Sequence, residues 1–308
     1  LHGTKHSFPT RRSSDLRYEN GFNFDVSYAF QDVDSATEGT SSRAVSNWRS
    51  LVTYDRNNIG VGTAPYETRH AFNMNFGFEK EIFDGLTSRF DLFGIIKSGD
   101  PFSYVFDVSS SNALFGRAGD FESPYDDDLL YVPTMSGGAS TDAAVVFASG
   151  FDGAGFESFM NQHGVTQGQI FDKNSVRGSW DQLWNFRFQQ DMPFVGDFGV
   201  KALEGNRMKF TVDIFNVANL FNDKWGARYF APSFDTEGVV VADIVSAADV
   251  ALNGVDGATA LTGNAPATTC VNEGDCVYRF NSFIKQPSSF PSLADSVYKI
   301  RVGLRYEF

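Results

Sequence analysis

Two cysteines and four histidines in 308 residues leave little material for a metal centre, and no run approaches the roughly 18 apolar residues of a membrane helix. Basic charge is scarce too. The 25 Lys and Arg are outnumbered by 38 Asp and Glu, and a net charge of −13 argues against nucleic acid as a partner. No HExxH, GxSxG or phosphate-loop pattern occurs, and the paired carboxylates fall on loops that assign no acid and no base. No catalytic residue, cofactor or metal is therefore expected. Any crossing of a membrane falls to strands.

What is plentiful is phenylalanine: 32 Phe within an aromatic content of 15%, beside 29 Gly. That balance suits a membrane barrel, which carries aromatic girdles and needs apolar residues only at every second strand position. The end of the chain shows the pattern. Tyr298, Ile300, Val302, Leu304, Tyr306 and Phe308 share one face of a strand, and Lys299, Arg301, Gly303, Arg305 and Glu307 share the other. The same alternation is read over 21–31, with Phe22, Phe24, Val26, Tyr28 and Phe30 on one side, and over 69–81, with Phe72, Met74, Phe76 and Phe78. It returns over 86–97, 180–191 and 207–217, although Phe93 and Ile95 break it on the polar side of 86–97. The expected polar wall includes Asn73, Asn75, Arg187, Lys209, Asp213, Arg301 and Arg305.

The connections between these segments alternate in length: 32–65 is long, Asp84-Gly85 is a tight turn, 98–179 is very long, 194–205 is modest and 219–295 is long. Outer-membrane barrels sort their connections this way, with long loops outside and short turns on the periplasmic side. The expected fold is all-β: a transmembrane antiparallel β-barrel with long extracellular loops, to which this chain gives six consecutive strands. Single-chain barrels begin at eight strands, and an open edge in lipid costs several kcal/mol for each unpaired backbone group. Further strands are expected upstream. Within the long connections, Phe102–Val108 is expected to prolong the preceding strand and Phe156–His163 to form a short helix. Residues 1–16 read differently from the rest. Ser7 to Leu16 resembles a translated sequencing adapter, with a natural basic linker as the alternative, so 1–16 is set apart as a non-native leader and 17–308 is taken as the barrel portion.

Several stretches carry a family likeness. Gln31-Asp32-Val33-Asp34-Ser35, Arg69-His70-Ala71-Phe72, Ser98-Gly99-Asp100-Pro101-Phe102-Ser103-Tyr104, Asp128-Leu129-Leu130-Tyr131-Val132-Pro133-Thr134, Asp213-Ile214-Phe215-Asn216-Val217-Ala218-Asn219-Leu220-Phe221-Asn222 with Trp225-Gly226, and Gly303-Leu304-Arg305-Tyr306-Glu307-Phe308 make the chain resemble the C-terminal part of Oar-like TonB-dependent receptors. The resemblance implies a 22-strand barrel around an N-terminal plug in the bacterial cell outer membrane. It also implies contact with outer-membrane lipid and lipopolysaccharide, and energy-coupled uptake of a bulky, unidentified ligand. The plug and the box that engages the TonB complex would lie in an N-terminal part absent from this sequence. A surface adhesion or structural barrel, whose acidic loops bind partners without transport, is the competing reading.

Leu304, Tyr306 and Phe308 form a candidate signal for the barrel-assembly machinery, which pairs with the edge of a final strand; the plainer reading makes them girdle aromatics. Cys270 and Cys276 bracket Val-Asn-Glu-Gly-Asp, and a disulfide suits an oxidising cell surface better than a metal pair with no nearby His. Asp126, Asp127 and Asp128 fit a solvated acidic loop better than a calcium site. Gly150, Gly153 and Gly155 fit a flexible loop better than a dinucleotide fingerprint. Tyr104, Tyr125, Tyr131, Trp225 and Tyr229 either stack on a ligand or pack the loops together.

Overall fold

The computed structural model describes residues 10–37, 39, 41–49, 51–55, 57–83, 85–107, 114, 128–193, 206–230, 236–262, 265–285, 290–291 and 296–307. Two sheets carry the architecture. In chain order their strands are β1 (Thr10–Arg17), β2 (Phe22–Phe30), β3 (His70–Phe83), β4 (Leu86–Lys97), β5 (Pro101–Phe106), β6 (Val145–Phe147), β7 (Val176–Arg177), β8 (Asp181–Met192), β9 (Arg207–Phe215), β10 (Thr236–Ser246), β11 (Cys276–Phe283) and β12 (Lys299–Glu307). Two helices enter the argument, α1 (Gly153–Gln162) and α2 (Val217–Phe221). The chain is mostly strand, with few helices, and no helix among the described residues is long and apolar enough to cross a membrane.

The first sheet, the wall, has seven strands in the order β1-β2-β3-β4-β8-β9-β12, each antiparallel to its neighbours. Period-two alternation in each strand, held in register, gives the wall one apolar and one polar face. On the apolar face Phe22, Phe78, Phe90 and Phe188 stand in one cross-strand row, with successive ring centroids 4.5, 6.2 and 5.0 Å apart. At the end where the long connections leave, His70 stacks between Tyr28 and Trp180 at 6.1 and 5.9 Å, and Tyr28 Oη lies 2.9 Å from His70 Nδ1.

This wall is inverted with respect to a soluble core. Among the described residues no apolar side chain of its strands is fully buried; the buried ones are Ser27, Ser88, Gln190 and Asp213. Phe22, Phe76, Ile300 and Val302 are exposed, and Leu304 is 70% exposed.

The six expected strands are all present, and a seventh joins them. β1 straddles the boundary set at residue 16 and pairs with β2 from Thr10↔Phe30 to Arg17↔Asn23. The ladder uses backbone groups that every non-proline residue carries, so an atypical sequence can still occupy an open strand edge. A turn at 18–21, with Gly21 at φ +91°, brings it back.

The long connections are not open loops. The described residues of 98–179 and 219–295 fold together into a cap with a five-stranded mixed sheet, β6-β11-β10-β5-β7, in which β5 runs parallel to β10 and β6 parallel to β11. Its core includes Phe106, Phe156, Met160, Val240 and Phe280, all with no exposed surface. Burying each such side chain contributes about 1.5–3 kcal/mol, which an open loop forgoes. The stretch expected to prolong β4 therefore leaves the wall and pairs as β5 in the cap sheet. Gly99 permits the bend, because a Cβ there would stand 2.3 Å from the Gly178 carbonyl oxygen. The short helix expected over 156–163 is α1, which begins three residues earlier because the Asp152 carboxylate accepts the Gly155 N–H at 3.0 Å.

The first long connection is fastened to this cap. Glu67 has no exposed surface, and its carboxylate accepts bonds from the Val33 N–H, from Arg69 Nε at 3.2 Å and from Arg177. Asn174, at φ +53°, donates through Nδ2 to the Thr63 carbonyl at 2.7 Å, and Lys173 Nζ reaches the Ala36 carbonyl at 3.0 Å.

Candidate functional site

The polar face of the wall gathers the charges. Cross-strand registration places Arg187 opposite both Asp91 and Asp213, and Asp213 opposite Arg301, so one row alternates in sign across β4, β8, β9 and β12. Asp213 is buried at the centre. Its Oδ1 accepts from Arg187 Nε at 2.5 Å, and its Oδ2 from Arg301 Nε and Nη2 at 3.0 and 2.6 Å. The Arg301 guanidinium also lies 5.2 Å from the Phe215 ring centroid. Lower on the face, Arg89 bonds Asp91 at 2.9 Å, and Lys209 lies 3.3 Å from Glu307. A shallow cavity of about 230 Å³ opens between Asp91, Asn185, Arg187 and Asp213, with Phe93 and Phe215 at its sides. The two aromatics on the polar side, one of which breaks the alternation of β4, thus line this cavity.

Such a face can hold a polar polypeptide or ligand by matched charges and amides. It brings together no nucleophile and base, and among the described residues no group of three His, Cys, Asp or Glu converges to hold a metal. Of the expected polar wall, Asn73 and Asn75 on β3 sit on the strand next to this cluster, opposite Ile95 and Phe93 of β4, and the Asn73 amide donates to Ser27 Oγ at 3.4 Å. Arg305 turns to Glu307 at 3.0 Å.

Above the wall the cap shields several titratable groups. Glu237 on β10 stands beside Tyr104 on β5 in the parallel ladder, and burial pushes its carboxyl up to about 7. Burial and the nearby Glu237 carboxylate raise the Tyr104 hydroxyl, whose oxygen lies 3.2 Å from His163 Nδ1, and burial lowers His163. Tyr131 donates to Asp142 Oδ2 at 2.7 Å and is pushed up to about 12 by burial and by that bond.

The remaining candidates fall in different places. Leu304 and Tyr306 are exposed on β12, the last strand of the wall, opposite Phe210 and Met208, and Tyr306 also takes a bond from the Asn206 amide. Phe308 lies outside the described residues, as do Tyr125, Asp126 and Asp127. Asp128 is 3% exposed, so this end of the acidic run is not solvated; its carbonyl accepts the Phe106 N–H at 3.0 Å. Cys270 and Cys276 are joined by a disulfide with Cα atoms 5.3 Å apart. The Asp275 carboxylate accepts the N–H groups of Val271 and Asn272 inside the ring, which leads directly into β11.

Tyr104 and Tyr131 pack with the cap, Trp225 is half-exposed beside α2, and only the backbone of Tyr229 is described. Gly153 is required by a close approach to the Gly138 carbonyl oxygen, which a Cβ would meet at 1.9 Å. That is a packing role at the first turn of α1, which also contains Gly155, not a flexible loop. The cap sheet itself went unread in the sequence. Its signal was the β-branched run Val239-Val240-Val241 with Ile244 and Val245, bounded by Gly238 and a helix start.

Comparison with protein-family models, curated proteins and solved structures finds no match.

Proposed function

We propose that the chain is the C-terminal barrel segment of an Oar-like TonB-dependent receptor, which imports a bulky nutrient across the bacterial outer membrane and catalyses no reaction. One observation carries this reading: the wall exposes aromatic and aliphatic side chains on one face and pairs charges on the other. In water that arrangement leaves a long row of apolar surface unburied; against hydrocarbon it is the stable one. The sorting of connections supports the same orientation, with the cap outside and the tight turn at 84–85 in the periplasm. The charged face then lines the bore, where the alternating row through Asp213 meets a plug supplied by upstream sequence. Energy enters when the TonB complex pulls that plug.

Lipid and lipopolysaccharide surround the wall, and the barrel-assembly machinery reads the edge strand through Leu304, Tyr306 and Phe308. The test is expression of the intact gene product, followed by membrane fractionation and heat-dependent gel mobility. The expected result is an outer-membrane protein whose mobility shifts on heating; a monomer in the soluble fraction overturns the reading.

The folded cap favours one second reading, a surface barrel that binds partners and transports nothing, since an ordered core above the mouth presents a fixed surface. The two separate on energy coupling. Loss of ligand uptake when TonB is deleted supports the receptor, and unchanged function supports the adhesion barrel.

A further inference from the structure

The wall carries a cavity on its apolar face that the transport reading does not use. After β9 the chain turns back at Asn216, held at φ +53°, and forms the single-turn helix α2 against β8. Asn216 fastens this turn. Its side-chain amide donates to the carbonyls of Gly226 and Ser296 at 3.1 and 2.7 Å, and its own N–H donates to Asn185 Oδ1 at 3.0 Å. Gly226, at φ +68°, packs where any Cβ would strike the Asn216 amide.

Between α2 and the wall lies a cavity of about 690 Å³. Trp184, Phe186 and Ile214 form its floor and Leu220 and Phe221 its other side; apart from the indole N–H groups of Trp184 and Trp225, Gln182 brings the polar group to this lining. Gly94 shapes the floor. The Trp184 indole lies over it so closely that a Cβ would stand 2.4 Å from the ring.

We propose that this groove holds one acyl chain of an outer-leaflet membrane lipid. The proposal rests on the membrane reading of the wall, because the groove is continuous with the face turned to hydrocarbon. Its volume is that of a single-ligand site, within about 300–1,000 Å³. Phe221 is 77% exposed and Trp225 half-exposed, an aromatic pair at the level where the wall ends and the polar turn Asn222-Asp223-Lys224 begins. Lys224 is exposed and among the described residues has no carboxylate partner, so it is available to a lipid phosphate; Asp223 beside it leaves the turn neutral, and the chain rather than the headgroup supplies most of the affinity.

The test uses the intact protein purified in detergent, as single-tryptophan variants that retain either Trp184 or Trp180, titrated with phosphatidylglycerol brominated in its acyl chains. Trp180 lies on the same face, outside the groove lining, and reports lipid that is merely dissolved in the micelle. The expected result is saturable quenching of Trp184 near one equivalent, with Trp180 responding only in proportion to lipid in the micelle. F221S and L220Q, which put polar groups into the groove lining, are expected to weaken the saturable response at least five-fold.

Quenching of Trp184 that follows Trp180, or equal saturation in both variants, overturns the proposal. So does saturation that weakens as protein concentration rises, because a second copy then occupies the groove. In proteoliposomes of the same lipid, absence of Trp180 quenching would overturn the membrane reading itself, whereas Trp180 quenching with no saturable Trp184 site sinks the groove alone.

Discussion

The wall and the cap belong to one chain and treat apolar residues in opposite ways. In the cap Phe106, Phe156 and Phe280 are sealed inside, while in the wall Phe22, Phe76 and Leu304 are exposed and Ser27 and Asp213, on the opposite face, are buried. The difference teaches that local composition does not set which side is in; in the proposed reading the medium does. A mixed sheet carrying a helix makes its own core. The wall is a single antiparallel layer with no second layer packed on it among the described residues, and in the proposed reading its apolar face meets hydrocarbon.

The largest expected effect breaks the cap and spares the wall. F280A removes the ring that Phe147, Phe151 and Phe156 surround, and a buried Phe→Ala change costs about 3–5 kcal/mol. Protease digestion of the intact protein should then cut within 98–179 or 219–295 while heat-dependent gel mobility persists. Loss of both together would mean that the two regions fold as one unit.

Next comes V212R, on the apolar face of the wall. An arginine near the middle of the hydrocarbon costs about 2–4 kcal/mol, and urea titration of the protein refolded into vesicles should show that loss. T211R, one residue earlier and facing the charged side, should cost far less. Equal costs would abolish the contrast between the faces.

Within the cap, C270S opens a ring with a sequence separation of 6, and a loop of that size predicts about 2 kcal/mol of lost stability. The measurement is the denaturant midpoint of the cap transition, with and without reductant, in both proteins. Reductant should lower the wild-type midpoint and leave that of C270S unchanged; an unaffected wild type would reject the contribution.

The smallest effect is pH-dependent. The Glu237 carboxyl is raised from 4.5 to about 7 by burial, so the folded cap holds its proton where the unfolded chain has released it. Stability from this group is complete below about pH 4.5, declines as pH rises and is lost above about 7, an effect on the order of 2 kcal/mol. Cap unfolding followed between pH 4 and 8 should show that decline in the wild type and a flatter profile in E237Q. The same slope in both would assign the dependence elsewhere.

The sequence exposed the wall because its information is local. Phe24 with Val26, or Val212 with Ile214, states a face by spacing alone, and strand edges follow from where the alternation stops. The partners of Asp213 were not legible at that level, since Arg187 and Arg301 meet it only through a register fixed by pairing across β8, β9 and β12. The cap was hidden for a related reason. β5 and β10 lie far apart in the chain and pair in parallel, and the Gly, Ser and Asp of their connections outweighed short apolar runs. Glu67 offered no signal either, because its importance comes from the burial that Arg69 and Arg177 compensate.

The most direct test places spin labels one at a time at Lys209, Phe210, Thr211 and Val212 in the intact protein, with both native cysteines replaced by serine, in a lipid bilayer. Collision with oxygen, which concentrates in hydrocarbon, and with a water-soluble nickel chelate is measured at each position. The account predicts a two-residue alternation, with oxygen favoured at 210 and 212 and the chelate at 209 and 211. Equal accessibility at all four positions, or a protein that folds without detergent and shields 210 and 212 from both reagents, would contradict it.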